Sequence, residues 1–469
     1  MNKKDIKIVV LGAGISGLST AFWLNKEGYN VTVLEAKRRI GGAMDTEKSD
    51  SFLVDYGCNS GLLTTPLIRQ LAEEVGLKDD LILANESADK RYILKNSQLH
   101  VLPVSPKSFL KTKLFSGKAK LRLLKEPFIS RSGDGYFQSI AEFVERRLGK
   151  EFLDYAIDPF VSGVFAGDPY KLSVGSAFPK LYRLEEKYGG IFKGVILGAR
   201  ERKKRNEESK QSAKMFSFKK GMQSFPGAIY EKLKNKVKLN AIVEEVNKTE
   251  QGYKVVYFEQ DIKHEIEGNI ILSTVPSYAA ANIFSTIEPG AKNSFEKIYY
   301  PPLKNLYLGF KKENIGKKLD GFGFLIPSKE KRTFLGAIWS STIFPERCED
   351  EYAAFTIFIG GARNPHLFEL DENELTKKVI SEFSEIMNAK GEPEFIKTKF
   401  WKKAIPQYNL GYITLLNKFK DLEKNNPGIF LSGNYIGGIS VGDCVKNAGV
   451  NLNMINGYIE KNIIDKFTV

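Results

Sequence analysis

The sequence predicts an α/β plus α+β chain, in which a discontinuous Rossmann-like nucleotide-binding domain carries a mixed-sheet substrate domain and a helical insertion. Three observations lead there. A buried-strand pattern, a GxGxxG turn and a helix open the chain; the apolar strands that could finish the sheet come only after residue 236; and a second glycine-rich strand-to-helix turn stands near the end.

Residues 6–11 (IKIVVL) are a β-branched, apolar run ending at a glycine, the pattern of a strand covered on both faces of a parallel sheet. Gly12 permits a tight turn, Gly14 lets backbone approach a pyrophosphate, and Gly17 lets helix and strand pack closely. Residues 15–26 place Leu18, Ala21, Phe22 and Trp23 at helical spacing, Gly28 ends the helix, and VTVLE forms a second strand closing on Glu35. A carboxylate there suits ribose hydroxyls, and the helix N-terminus suits the pyrophosphate. An ordinary glycine-rich turn shares the glycines but lacks this ordered succession of strand, glycines, helix, strand and acid.

Composition narrows the classes. The 469 residues include 70 Lys+Arg against 56 Asp+Glu, a net charge of +14, and 42% are hydrophobic, so the chain can bury large cores and is neither disordered nor a small disulfide scaffold. Cys58, Cys348 and Cys444 lie too far apart for a disulfide framework or a CxxC metal pair, and a reducing compartment is expected. His100, His264 and His366 are equally scattered, so no metal centre is expected. MNKKDIKIVV has neither the apolar segment nor the cleavage site of a signal peptide, and no apolar run reaches the roughly 18 residues of a membrane span. The positive excess suits an anionic membrane or an acidic substrate better than nucleic acid, for which no recognition motif is visible.

Residues 237–246, 253–258, 269–275 and 428–432 read as further strands. The nucleotide-binding domain is therefore assigned to 1–89, 211–284 and 416–469, the substrate domain to 285–415 with part of 86–95, and a helical, basic, membrane-binding insertion to 96–210. Arg200 to Lys214 lacks apolar residues and reads as a solvated segment. Gly433, Asn434, Gly437, Gly438, Val441 and Gly442 precede a helix expected from about Asp443 to Ile459; such glycines let backbone lie against a flat ring, with the helix N-terminus aimed at its edge. In the insertion, residues 105–128 interleave Phe109, Leu110, Leu114, Phe115, Leu121, Leu123 and Leu124 with seven basic residues, a pattern that fits either the headgroup plane of an anionic membrane or a solvated helix face over a local core.

After Glu35 the chain continues EAKRRIGGAM, and Arg39, Gly41 and Gly42 resemble the second signature of flavin-dependent amine oxidases and their relatives. That resemblance implies a flavin domain of the glutathione-reductase/amine-oxidase type, with FAD as cofactor. Residues 158–190 (DPFVSGVFAGDPYKLSVGSAFPKLYRLEEKYGG), with ADKRYILKN around Arg91, SFKKGMQSFP, DGFGFLIPSKE, FTIFIGGARN, WKKAIPQY and SGNYIGGISVG, closely resemble the protoporphyrinogen oxidases of haem synthesis over nearly the whole chain. The blocks look more like the plant-type and proteobacterial branch than the Gram-positive coproporphyrinogen oxidases.

The resemblance implies roles. Arg91 matches an arginine holding a substrate propionate, Phe358 an aromatic stacked on a pyrrole, Leu325 and Ile338 an apolar pair sandwiching the macrocycle, and Gly163 a substrate-side glycine. Asn59 matches an asparagine assisting proton movements and is, with Arg91, a candidate catalytic residue. Cofactor contacts fall on Gly12, Gly14, Ile15, Ser16, Gly17, Glu35, Ala36, Arg39, Gly42, Gly57, Val243, Trp401, Gly433, Asn434 and Val441. The implied reaction transfers hydride from a bridge carbon to flavin N5, with O2 as final acceptor giving H2O2. It further implies monotopic binding to an anionic membrane, a cytoplasmic enzyme on the inner face of the cell membrane, ferrochelatase as a partner, and a monomer or homodimer. Oxidation of coproporphyrinogen III and a non-catalytic porphyrin shuttle stay open as alternatives. Two departures stand out: Ala43 and Met44 follow the second glycine pair where the family has a basic residue, and DYGCN brings Tyr56 and Cys58 beside Asn59 in place of the more acidic DEGAN type.

Overall fold

A computed structural model describes residues 2–204 and 213–464. Five parallel strands form one sheet in the order Val237–Lys238, Asn30–Leu34, Lys7–Leu11, Ile270–Ser273 and Ile429–Leu431. Three distant stretches of sequence thus meet in one sheet. The helix Ile15–Lys26 buries every residue from Ile15 to Leu24, because helices Ser224–Leu233 and Val441–Ile459 pack on it while it lies on the sheet. A helix covered all round has no polar stripe, which is why its apolar residues are not confined to one face.

A second sheet of seven strands runs in the order Phe395–Trp401, Leu303–Lys311, Tyr352–Gly360, Phe334–Ile338, Gly321–Leu325, Lys90–Lys95 and Gln98–Val101. All its pairings are antiparallel except that of Gly321–Leu325 with Lys90–Lys95. One face packs on the helix Glu372–Met387, which turns Leu375, Val379, Phe383 and Ile386 inward at helical spacing. The other face meets the segment from Tyr56 to Asn59 through Asn305 and Thr356.

Several expectations are corrected. Residues 237–246 are not one strand: Asn240 adopts φ 56°, and the chain leaves the parallel sheet at Lys238 to enter a three-stranded antiparallel sheet at Ala241. Glu35 manages the change, its N–H donating to the Lys238 carbonyl and its carbonyl accepting from the Ala241 N–H, each at 2.9 Å. The third strand of that sheet, Ile262–Gly268, escaped the sequence reading because its mostly polar run, IKHEIEG, offers few buried side chains. The start of the basic insertion is not helical either, since Lys90–Lys95 and Gln98–Val101 form a hairpin on the seven-stranded sheet.

From residue 106 the chain is helical, and its basic segment is two short helices, Pro106–Lys111 and Gly117–Leu123. Leu114, Phe115 and Leu123 are buried, whereas Leu110, Leu121 and Leu124 are exposed, so the segment serves a local core and the surface at once. Farther along, Arg147 is fully buried and donates to Glu126 Oε1 at 2.7 Å and Glu185 Oε2 at 2.6 Å, tying three helical pieces together. Glu126 also accepts from the N–H groups of Ile191 and Phe192, capping the helix Ile191–Lys204. Most of the solvated segment Arg200 to Lys214 lies outside the described residues.

Candidate active site

The first glycine turn leaves its helix N-terminus open. Gly14 is the N-cap of Ile15–Lys26 and provides no side-chain hydrogen bond, and a Cβ built on it meets nothing within 4 Å, so no side chain fills the space beside the helix N-terminus. Gly17 has no such freedom, since a Cβ there would stand 2.0 Å from the Gly12 carbonyl oxygen. The Glu35 carboxylate accepts from the N–H groups of Ala13 (2.8 Å) and Lys37 (2.9 Å), fixing the turn while its remaining lone pairs stay available. Ala36 is exposed beside it.

The second glycine pair is drawn onto the first. Gly41 bridges Gly14, and the Gly41 N–H donates to the Ala13 carbonyl at 2.8 Å. Arg39 frames this loop from within, donating to the carbonyls of Gly42 (2.9 Å), Met44 (3.2 Å) and Ile40 (3.3 Å). The departures at 43 and 44 have a packing reason: Met44 is buried in the core, and the Ala43 carbonyl lies where a Cβ on Gly57 would fall, 1.8 Å away.

Thr274, which the sequence reading missed, joins the two ends of the chain. Its hydroxyl donates to the Leu11 carbonyl at 2.9 Å and crowds Gly17, and its own carbonyl lies 3.2 Å from a Cβ built on Gly433. Asn434 lies in the following turn, held by the Tyr408 hydroxyl donating to its carbonyl at 2.6 Å. The helix here starts at Val441, not Asp443. Ser440 caps it, accepting from the Asp443 N–H, and Asp443 occupies the first turn. This helix N-terminus is therefore partly satisfied and carries a negative charge, unlike the open one at Gly14. Val243 lies on the antiparallel strand Ala241–Thr249 opposite Tyr257, two residues beyond Ala241, whose N–H meets the Glu35 carbonyl.

A cavity of about 1120 Å³ runs past Arg38, Arg39, Thr46, Tyr56 and Trp401, with Lys37, Lys399, Lys402 and Lys403 adding positive charge to its wall. The Trp401 indole N–H donates to the Tyr56 carbonyl at 3.2 Å, and its ring lies 3.5 Å from a Cβ built on Gly57. An open helix N-terminus, a double glycine cradle and a cationic cavity suit a dinucleotide with an aromatic ring.

The seven-stranded sheet brings the other predicted residues together. Directly paired residues share a face, and the register runs Lys399, Asn305, Phe358 and Gly336 across four strands and Tyr307, Thr356, Ile338, Gly323 and Arg91 across five. Arg91, Leu325, Ile338, Phe358 and Trp401 all stand on this face. Leu325 is paired with Gly336 and Ile338 with Gly323, so the two aliphatic residues stand diagonally apart, each across from a glycine, about 7–8 Å from one another by sheet geometry, and the space between their side chains is a notch on this face. Gly163, on the helix Asp158–Phe165, closes on the notch: a Cβ there would lie 2.8 Å from Leu325 Cδ2. An ion pair between Arg363 and Asp158 holds that helix to the sheet's end, and Asp158 also accepts from the Ser328 N–H at 2.7 Å.

Asn59 does not cap a helix. It lies beneath this face, its Oδ1 accepting from the Thr356 hydroxyl at 3.3 Å, and that hydroxyl lies 2.9 Å from the Ser340 hydroxyl. Asn305 is a further missed residue: its amide nitrogen donates to the Tyr56 carbonyl, while its buried Oδ1 has no partner. Burial pushes the Cys58 thiol up to about 12, so Cys58 is a neutral packed thiol at physiological pH. Burial and the Glu47 carboxylate, which accepts from the Tyr56 hydroxyl at 2.8 Å, likewise push the Tyr56 phenol upward.

The chain is similar to known proteins over nearly its whole length. The family model for flavin-containing amine oxidoreductases matches residues 15–448. The mitochondrial protoporphyrinogen oxidase of Nicotiana tabacum is 32% identical, over 97% of this chain and 95% of its own length. The coproporphyrinogen III oxidase of Bacillus subtilis (strain 168) is 26% identical, over 93% and 95%. A crystal structure from Exiguobacterium sp. 255-15, provisionally named a protoporphyrinogen oxidase, superposes with a TM-score of 0.79 at 20% identity, covering 98% of this chain and all of that one. The chain binds FAD and belongs to the protoporphyrinogen oxidase family of flavin-containing amine oxidoreductases.

Proposed function

We infer that the chain oxidises protoporphyrinogen IX to protoporphyrin IX in haem synthesis. The observation that carries this reading is the apolar notch between Leu325 and Ile338, bordered by Phe358 and ended by Arg91, a cation with no acidic partner among the described residues. Bound FAD would supply the acceptor, at N5, for a hydride from a bridge carbon, with O2 as the final acceptor giving H2O2. The chain's part is positioning. Leu325, Ile338 and Gly163 grip a pyrrole, Phe358 offers a ring face to its neighbour, and Arg91 anchors a propionate with a fork that stays charged at every working pH.

The count of cations favours the dicarboxylate over the tetracarboxylate coproporphyrinogen. The strands Gly321–Leu325, Phe334–Ile338 and Tyr352–Gly360 contain no charged residue, and the helix Asp158–Phe165 contains only Asp158. Nearby lysines are committed, Lys95 to Glu151 and Lys329 to Asp154. Among the described residues Arg91 has no acidic partner, only the Phe322 ring 5.6 Å away. Anaerobic mixing with each porphyrinogen tests the function: protoporphyrinogen should bleach the flavin faster than coproporphyrinogen, and air should restore the colour. A flavin left oxidised by both would instead indicate a porphyrin shuttle.

The 96–210 insertion serves on this reading as a monotopic anchor on the inner face of the cell membrane, where a poorly soluble product could pass to ferrochelatase. Support comes from large apolar side chains held in water among lysines: Leu110 is 71% exposed, Leu124 69% and Phe128 88%. No helix among the described residues is long and apolar enough to cross a membrane. Purified protein should float with anionic liposomes and be released by salt; failure to float removes the anchor.

A further inference from the structure

Oxidation of a porphyrinogen by one hydride equivalent also releases one proton: as the bridge C–H bond gives hydride to the flavin, a pyrrole N–H bond must break and leave its electron pair in the new ring double bond. A small cavity shares Ile338 with the notch. Its volume is about 10 Å³, and Asn59, Asp55, Tyr307, Ser340 and Arg347 also contribute to its wall. Space of this size with several polar neighbours suits one ordered water.

Asp55 also reaches a second space. It is 2% exposed, and its Oδ1 accepts from the Thr46 hydroxyl at 2.5 Å and the Met222 N–H at 2.9 Å. Its Oδ2 lies 3.0 Å from Arg347 Nη2 but has no aligned hydrogen-bond donor. Thr46 in turn lines the wide cationic cavity. One carboxylate therefore links the water-sized space beside Asn59 with the opening toward solvent.

We propose that Asp55 is the proton acceptor of the reaction: one water in the small cavity takes the pyrrole proton and passes its own to Asp55 Oδ2. The proton leaves once the carboxyl turns to bring it opposite Thr46: Asp55 donates it to the Thr46 hydroxyl oxygen, and that hydroxyl gives up its own proton toward the wide cavity. This assignment rests on the porphyrinogen reading above. The groups facing Asp55 are compatible with it. Arg347 is the one permanent charge there, shared with Ser217 and the Phe218 carbonyl; the Tyr307 hydroxyl donates away, to the Leu53 carbonyl at 3.2 Å; and Cys58 is a neutral thiol. Burial pushes the Asp55 carboxyl upward and Arg347 pulls it back, with burial the larger effect.

The test is the rate of anaerobic flavin reduction by protoporphyrinogen against pH, in stopped flow, for FAD-loaded wild type, Asp55→Asn and Ser340→Thr. Ser340→Thr keeps the hydroxyl that meets Thr356 and adds a methyl group that fills the water space. Wild type should slow as the pH falls, because a protonated Asp55 no longer accepts. Asp55→Asn should reduce at least tenfold more slowly, with KM unchanged and the acid limb gone; Ser340→Thr should slow several-fold with the limb kept. Wild-type rates in Asp55→Asn, or a slow Asp55→Asn whose acid limb has not moved, overturn the proposal. Should Asp55→Asn fail to load FAD because Arg347 is left unpaired, Ser340→Thr decides, and a wild-type rate there overturns it. A wild-type flavin that no porphyrinogen reduces overturns the proposed function itself, a result distinct from either.

Discussion

On the strand Tyr352–Gly360, Phe355, Ile357 and Ile359 turn to one side of the sheet, while Ala354, Thr356 and Phe358 turn to the other. The first set meets Phe310, Phe383 and Val379 in a continuous apolar layer. The second set shares its face with Asn305, Ile338 and Arg91, where glycines interrupt the surface and a buried amide oxygen goes unpaired. The same strands thus present one face closed by packing and one left unfinished. Strand alternation makes this possible, since every second residue can be committed to stability without constraining its neighbours.

Substitutions on the two faces should separate stability from binding. The largest effect is expected from Phe355→Ala, which opens a cavity in the closed layer and should cost about 3–5 kcal/mol by denaturant unfolding, with an unchanged KM in the molecules that still fold. Loss of substrate affinity without loss of stability would break the distinction. A smaller effect is expected on the open face. Arg91→Ala should remove about 1.5–3 kcal/mol of substrate binding, raising KM by an order of magnitude or more, while the unfolding midpoint stays put because Arg91 is exposed and has no acidic partner. An unchanged KM would take Arg91 out of the site.

The parts legible in the sequence are those whose geometry is local. From Ile6 to Glu35 the strand, glycines, helix and acid follow one another within a single supersecondary unit, and the structure brings Ala13 against Glu35 and Gly14 against Gly41. Asn305, Thr356, Ser340, Asp55 and Arg347 were not legible. In Leu303–Lys311 every residue but the last is buried, so no alternation of apolar and polar residues reveals which side faces the substrate. Thr274 was missed for a related reason: its work is done against Leu11, Gly17 and Gly433, none of them near it in sequence. The basic insertion misled in part because its apolar residues divide between a local core and the surface, and composition alone does not sort them.

The sequence by itself determined that the chain binds a dinucleotide and, through its resemblance, which chemistry surrounds it, because an open helix N-terminus and a glycine turn are specified by neighbours within a few residues. Only the tertiary structure decided that Arg91 and Phe358, more than 260 positions apart, look out from one sheet face, and that Asp55 lies between two cavities. Those relations depend on strand order and register, which are set by long-range packing of whole sheets and leave no periodic trace in the residues concerned.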